Sequence, residues 1–233
     1  MLAPAKLTLS LRIVGVEPDG YHLIESEMVT VDLADELTFE EGNGLLVVGP
    51  AAAGVPDGEG NLVRRALSAV GRQAAVRLFK RIPAGGGLGG GSADAAAVLR
   101  WAGYDDPAIA ASLGSDVPFC VRGGRARVSG VGEVVAPLPF EDRTFTLSIP
   151  PLAVSSAEAY RAWDSLGGPA GAHGNDLEAA ALAVEPRLVE WRDRLAEVSG
   201  CVPRLAGSGS TWFVEGAYPG EDRLVVRSVE PGL

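Results

Sequence analysis

Between Ile82 and Leu99 the chain reads IPAGGGLGGGSADAAAVL, six glycines set between the apolar strand-like run AAVRLFKRI and an alanine-rich helix-like run. Glycine relieves the steric limits on the backbone and lets peptide N–H groups come close to a ligand. At the mouth of a helix, those donors and the positive end of the helix dipole favour phosphate. A flexible linker would be glycine-rich too, but linkers do not usually lie between a short strand and a helix. Ser92 stands where an N-cap belongs, and the ADAAAVLRW that follows is rich in strong helix formers. The stretch therefore predicts a strand, a phosphate-binding loop and a helix, in that order.

The type of phosphate loop is narrowed by what the residues fail to match. Gly85, Gly87 and Gly90 satisfy the GxGxxG spacing of dinucleotide folds, but so many glycines fit several spacings by chance, and that motif usually opens its domain. A Walker loop needs Gly-Lys-Ser/Thr at its end, whereas Gly91 is followed directly by Ser92. Neither HRD nor DFG occurs, so the protein-kinase set is missing.

Upstream, KLTLSLRI alternates with period two, placing Leu7, Leu9, Leu11 and Ile13 on one side and Lys6, Thr8, Ser10 and Arg12 on the other, which predicts a half-buried strand. EPDGYH is a turn, and LIESEMVTVDL and ELTFEE read as two further strands of a meander. NLVRRALSAVG begins with Asn and stops at Gly, as a helix does. GSDVPFCV and GRARVSGVGEVVAPL read as loop and strands. Pro137, Pro139, Pro150 and Pro151 mark a break, so we expect two domains, residues 1–145 and 146–233. The second part holds a strand at FTLSI, helices over 156–165 and 187–198, a capped helix from NDLEAAALAV, and a strand near TWFVEG. The fold class expected is α+β, with the active site in a cleft between two domains.

Charge excludes some partners. Twenty basic against thirty acidic residues leave a net charge of -10, which repels nucleic-acid backbones and anionic membrane surfaces. With no bilayer-length apolar run and no signal-like start, a cytoplasmic location is expected. Cys120 and Cys201 are far apart and read as reduced, partly buried thiols; with them and His22 and His173 standing alone, no zinc pattern exists and metal ligands stay unassigned.

PAKLTLSLRI, PDGYHLIESEM, VDLADELTF, KRIPAGGGLGGGSADAA, LGSDVPFCV, GVGE, NDLE and LAGSGSTWFV occur in this order along nearly the whole chain. GLGGGSADAA resembles the phosphate-binding motif of the small-molecule kinase superfamily of galactokinase, homoserine kinase, mevalonate kinase and phosphomevalonate kinase. Within it, the set is similar to the 4-diphosphocytidyl-2-C-methyl-D-erythritol kinase family, through PDGYH combined with GLGGGS and GSDVPF. The resemblance departs at Thr8, where the family commonly has Asn, at Ala206, where it has Ser, and in a shortened segment between Ala97 and Ser115.

The resemblance implies ATP-dependent phosphorylation of the 2-hydroxyl of 4-diphosphocytidyl-2-C-methyl-D-erythritol, on the non-mevalonate route to isoprenoid precursors. It makes Asp116 the catalytic base, against a solvated loop aspartate or a cap, and Lys6 its catalytic partner, against an exposed strand lysine. Pro83, Ala84, Gly85, Gly86, Gly87, Leu88, Gly89, Gly90, Gly91 and Ser92 would cradle the nucleotide's phosphates, with Ser92 near a magnesium ion inferred from ATP use. Asn61 and Lys80 are further nucleotide-side candidates, with helix capping and a solvated strand end as equal alternatives. Thr8, Tyr21, His22, Gly207, Ser208 and Gly209 would bind the acceptor, Tyr21 by stacking on its cytosine. Two readings compete: a sister kinase for mevalonate, homoserine or a sugar, and a nucleotide-binding protein that kept the fold and lost catalysis. The partners expected are small molecules, with monomer or homodimer left open.

Overall fold

A computed structural model describes residues 1–104 and 106–232. The N-terminal strand β1 (Leu2–Val16) runs antiparallel to β2 (His22–Glu40), joined by the EPDGYH turn, in which the Glu17 amide donates to the Tyr21 carbonyl at 2.7 Å. The two strands expected over LIESEMVTVDL and ELTFEE are one strand of 19 residues. Its pairing passes from β1 to β4 without a gap, so Ala34 and Asp35 stay in the ladder instead of forming a turn.

β3 (Gly44–Val48), which alternation did not reveal, lies parallel to β4 (Ala75–Phe79), with α1 (Leu62–Ala69) in the crossover between them. β5 (Arg125–Gly130) and β6 (Val134–Leu138) complete a six-stranded sheet. α2 (Gly90–Ala102) packs across β1 and β2, and against α1 and α4 (Val117–Arg122). Its Ala93, Ala95, Ala96 and Ala97 are all buried, and these short side chains let the helix lie close to the sheet.

Two short helices follow α2: α3 (Pro107–Leu113), in a segment given no element from sequence, and α4, on ground expected to be loop. Asp106 and Asp116 occupy their N-cap positions and Pro107 and Pro118 their first turns, signals too short to produce periodicity. Ser92, expected as the cap of α2, lies inside its first turn; the N-cap is Gly89, at φ 67°. A glycine accepts that left-handed conformation, which a serine would resist.

The second sheet is ordered β10 (Arg223–Arg227), β7 (Thr144–Ser148), β9 (Trp212–Glu215), β8 (Arg204–Leu205). α5 (Ser156–Ser165), α6 (Glu178–Val184) and α7 (Leu188–Ser199) supply the residues that bury Trp212 and Val214 in one cluster. The change of sheet falls between Leu138 and Thr144, so a division at 145/146 would cut β7. One core cluster joins Ala5, Leu7 and Leu9 of β1 to Phe145, Leu147 and Phe213 of the second sheet. With both faces covered at its centre, β1 departs there from the expected half-burial, Lys6 and Thr8 being as inaccessible as Leu9, whereas further on Leu11 is buried and Arg12 exposed, as alternation predicts. Cys120 is buried and free, whereas Cys201 is free but exposed.

Candidate functional site

Lys6 is the hub of the site. Its Nζ donates to Thr8 Oγ1 at 3.0 Å and pairs with Asp116 Oδ2 at 3.3 Å, although the two residues are far apart in sequence. The lysine expected on an exposed strand face is 5% exposed, because two glycine loops close over it. A Cβ on Gly89 would lie 2.8 Å from Lys6 Cγ, and one on Gly207 would lie 3.3 Å from its Nζ. Asp116 occupies the N-cap position of α4 without making a side-chain cap bond, which leaves its carboxylate free to face the lysine.

A cavity of about 770 Å³ opens beside this pair, lined by Lys6, Thr8, Asp116, Gly207 and Ser208, and also by Tyr21 and His22. The structure thus brings the predicted catalytic pair together with five of the six predicted acceptor residues; Gly209 does not line the cavity. His22 lies over Tyr160 with ring centroids 4.7 Å apart and meets the edge of Trp163 at 5.6 Å. Its Nε2 is 2.8 Å from Asp164 Oδ1. Tyr21 is 64% exposed, so one aromatic face is open to a ligand. Burial pushes the Tyr160 hydroxyl up to about 12, with the charge of Asp116 adding to the shift.

Tyr160, Trp163 and Asp164 were missed in sequence. Their spacing of i, i+3, i+4 puts all three on one face of α5, a detectable signal once that helix is assigned.

The nucleotide-side candidates lie across Lys6, outside the cavity lining. The arc from Pro83 to Ser92 is tied down by carbonyls: Leu88 O accepts from the Lys6 amide at 3.0 Å, and Gly86 O from the Thr211 amide at 3.2 Å. Among the described residues, no loop or cap hydrogen bond takes up the amides of Gly85 through Ser92. Gly87, at φ 76°, lies so close to the second loop that a Cβ there would overlap the Ala206 carbonyl and come within 2.8 Å of the Gly209 oxygen. This arc of free donors at the start of a 13-residue helix suits a chain of phosphates.

Asn61 caps α1, its Oδ1 accepting from the Val63 amide at 2.8 Å. Lys80 is not at a solvated strand end. It is 2% exposed, and its Nζ bonds Asp94 Oδ2 at 2.7 Å and also Asp35 Oδ2. Burial pushes the Asp94 carboxyl up to about 7, against the pull of Lys80 and with the charge of Asp35 adding.

The second loop is positioned by Asn175, which the sequence suggested as a helix cap. The cap of α6 is Leu177; Asn175 Oδ1 accepts from the Leu177 amide, while its Nδ2 donates to Leu205 O at 2.9 Å and Gly207 O at 2.7 Å. Ser208 Oγ shares a 2.8 Å hydrogen bond with Ser156 Oγ of α5. Among the described residues there is no cluster of three His, Cys, Asp or Glu side chains suited to a metal. No described helix is long and apolar enough to cross a membrane.

Residues 61–124 match the GHMP kinases N terminal domain. The chain is 38% identical over 241 residues to the 4-diphosphocytidyl-2-C-methyl-D-erythritol kinase of Cereibacter sphaeroides, covering 91% of this chain and 87% of that protein. A crystal structure of 4-(cytidine 5'-diphospho)-2C-methyl-D-erythritol kinase superposes with a TM-score of 0.75 at 32% identity, covering 98% of each chain. Homoserine kinase from Cytophaga hutchinsonii has the same fold at a TM-score of 0.59 but 17% identity, over 98% of this chain and 95% of that one.

Proposed function

The chain belongs to the 4-diphosphocytidyl-2-C-methyl-D-erythritol kinase family and is an ATP-dependent small-molecule kinase; from that premise we propose which of its residues carry the reaction. The acceptor is 4-diphosphocytidyl-2-C-methyl-D-erythritol, phosphorylated on its 2-hydroxyl. The observation that carries the assignment is the Lys6–Asp116 pair, set where the acceptor cavity meets the glycine arc.

Phosphoryl transfer asks mainly for positioning and for neutralisation of charge on the moving group. The amides of Gly85 to Ser92 hold the β- and γ-phosphates. Asp116 takes the proton of the attacking hydroxyl as the new O–P bond forms and the β–γ bridging bond breaks, its electron pair leaving with ADP. Lys6 stabilises the negative charge gathering around the transferred group, and its low exposure strengthens that interaction. With no cage of three ligands among the described residues, magnesium would fit as part of the nucleotide complex, with the Ser92 hydroxyl as a protein oxygen in the first turn of α2. When bound, it neutralises phosphate charge.

Tyr21 and His22 receive the cytosine. Asp164 accepts a hydrogen bond from His22 Nε2, which fixes the ring at the cavity wall and leaves Nδ1 to meet the ligand. Thr8, Gly207 and Ser208 close on the diphosphate, while Gly209, outside the cavity lining, packs its carbonyl against Gly87. Asn61 serves this site through α1, whose start it caps. The two units of the chain divide between Leu138 and Thr144, where the sheets change.

Of the sister-kinase and non-catalytic readings, neither has a supporting observation here. The deciding experiment is ADP release with 4-diphosphocytidyl-2-C-methyl-D-erythritol against mevalonate and homoserine, with and without magnesium. Turnover confined to the cytidylylated acceptor and dependent on magnesium is expected. Turnover of mevalonate or homoserine at a comparable rate would overturn the acceptor assignment.

A further inference from the structure

We propose that Asp94, acting through Lys80 and Asp35, is a positioning residue that holds the two ends of the glycine arc at the separation ATP requires. The proposal rests on the reading of that arc as the nucleotide loop. Six glycines give the segment more backbone freedom than any other part of the chain, so its amides converge on a ligand only if both ends are fixed.

At the entry, the amides of Arg81 and Ile82 donate to Asp35 Oδ1 at 2.5 and 2.9 Å. At the exit, Asp94 in the second turn of α2 accepts from Lys80 Nζ at 2.7 Å. Lys80 also bonds the second oxygen of Asp35, closing a ring through β2, the end of β4 and α2. The same Nζ lies 3.2 Å from where a Cβ on Gly90 would sit, directly beneath the first residue of α2.

Stability alone does not account for this arrangement. Asp35, Lys80 and Asp94 are 0, 2 and 3% exposed, and Asp94 Oδ1 is buried with no partner. Removing three ionisable groups from water is costly, and apolar residues of similar volume often serve stability as well or better. Asp94 lies in a run of buried alanines, where an apolar side chain would be the ordinary choice. A buried ionic group does offer directional bonds that fix one arrangement, and an arc of glycines needs such bonds.

Kinetics of Asp94→Ala, Asp94→Leu and Asp94→Asn test the idea, with KM measured separately for ATP and for the acceptor and Gly87→Ala as the control for the loop itself. Alanine and leucine cut the tie to Lys80 but leave its pair with Asp35; the asparagine amide oxygen can still accept from Lys80. We expect ATP KM to rise roughly tenfold or more in Asp94→Ala and Asp94→Leu. The acceptor KM should stay within about twofold, and Asp94→Asn should return ATP KM to within about threefold of the parent.

Parental ATP KM in Asp94→Ala or Asp94→Leu, while Gly87→Ala has lost ATP binding, overturns the brace and leaves the loop reading intact. Normal ATP binding by Gly87→Ala places the failure in the loop reading itself. Equal rises in both KM values, absence of rescue by asparagine, or failure of both the alanine and leucine variants to fold would each assign the triad to general stability and reject the proposal.

Discussion

Replacing Asp116 with asparagine separates chemistry from architecture at the centre of this site. The amide keeps the shape of the carboxylate and still offers an oxygen to Lys6, 3.3 Å away, but it cannot accept a proton from an alcohol. Loss of a general base costs about 10² to 10⁴ in rate, or about 3 to 5 kcal/mol of barrier at about 1.4 kcal/mol per decade. The structural cost is smaller. The Asp116 side chain is 29% exposed, so water screens the lost ion pair, and Lys6 keeps its hydrogen bond to Thr8. About 1 kcal/mol is a fair ceiling, which lowers Tm by about 2 to 4 °C in a chain of this size.

Because Asp116 lies across Lys6 from the glycine arc, ATP affinity should be unchanged, or slightly tighter once a negative charge near the phosphates has gone. The assays are coupled ADP release for turnover, calorimetry with a non-hydrolysable ATP analogue, and thermal melting followed by circular dichroism. Turnover of the variant within about threefold of the parent would refute Asp116 as the base. A rate loss accompanied by matching losses of ATP affinity and of folded protein would refute the separation of roles.

Other perturbations reach different parts of the site. Gly87→Ala should raise ATP KM at least tenfold and lower Tm by several degrees, because the left-handed backbone costs an alanine about 1 to 2 kcal/mol and its Cβ meets the Ala206 and Gly209 carbonyls; unchanged melting and unchanged ATP KM would contradict that packing. Asp164→Ala frees the His22 ring and should raise acceptor KM about two- to tenfold with ATP KM unaltered, the range expected for one partly exposed hydrogen bond; a shift in ATP KM alone would count against it. The Asp94 carboxyl, raised to about 7 by burial, retains its proton in the folded state at pH values where the unfolded chain has lost it. Stability from this group is therefore fully present below about pH 4 and falls as pH rises towards 7. Denaturant titrations of parent and Asp94→Asn should diverge across that window, with the asparagine chain the more stable at pH 8; parallel curves would contradict the shift.

Local chemistry made the centre of this protein legible in its amino-acid sequence. The order of strand, glycine arc and helix follows from β-branched, glycine and alanine residues acting over a few positions, and α1, α5, α7, β4, β7 and β9 follow from periodicity and punctuation in the same way. The family resemblance singled out Lys6 and Asp116, but neither residue's neighbours along the chain say where its side chain goes. Continuity of β2 through Ala34 and Asp35 depends on partners on β1 and β4 that no local window contains.

Burial was the property least visible in sequence. Alternation along β1 assigns Lys6 and Thr8 to a polar face, which is correct for an isolated sheet; it fails here because the arc and the Gly207 loop fold over that face. Lys80 reads as a solvated strand end until Asp35 and Asp94 arrive from β2 and α2 to neutralise it. His22 and Asp164 are separated by 142 positions and meet only because α5 packs beside the first hairpin. Backbone preference is a short-range property and was determined by the sequence alone; desolvation and charge pairing are set by whatever approaches from elsewhere in the chain, and those the tertiary structure decided.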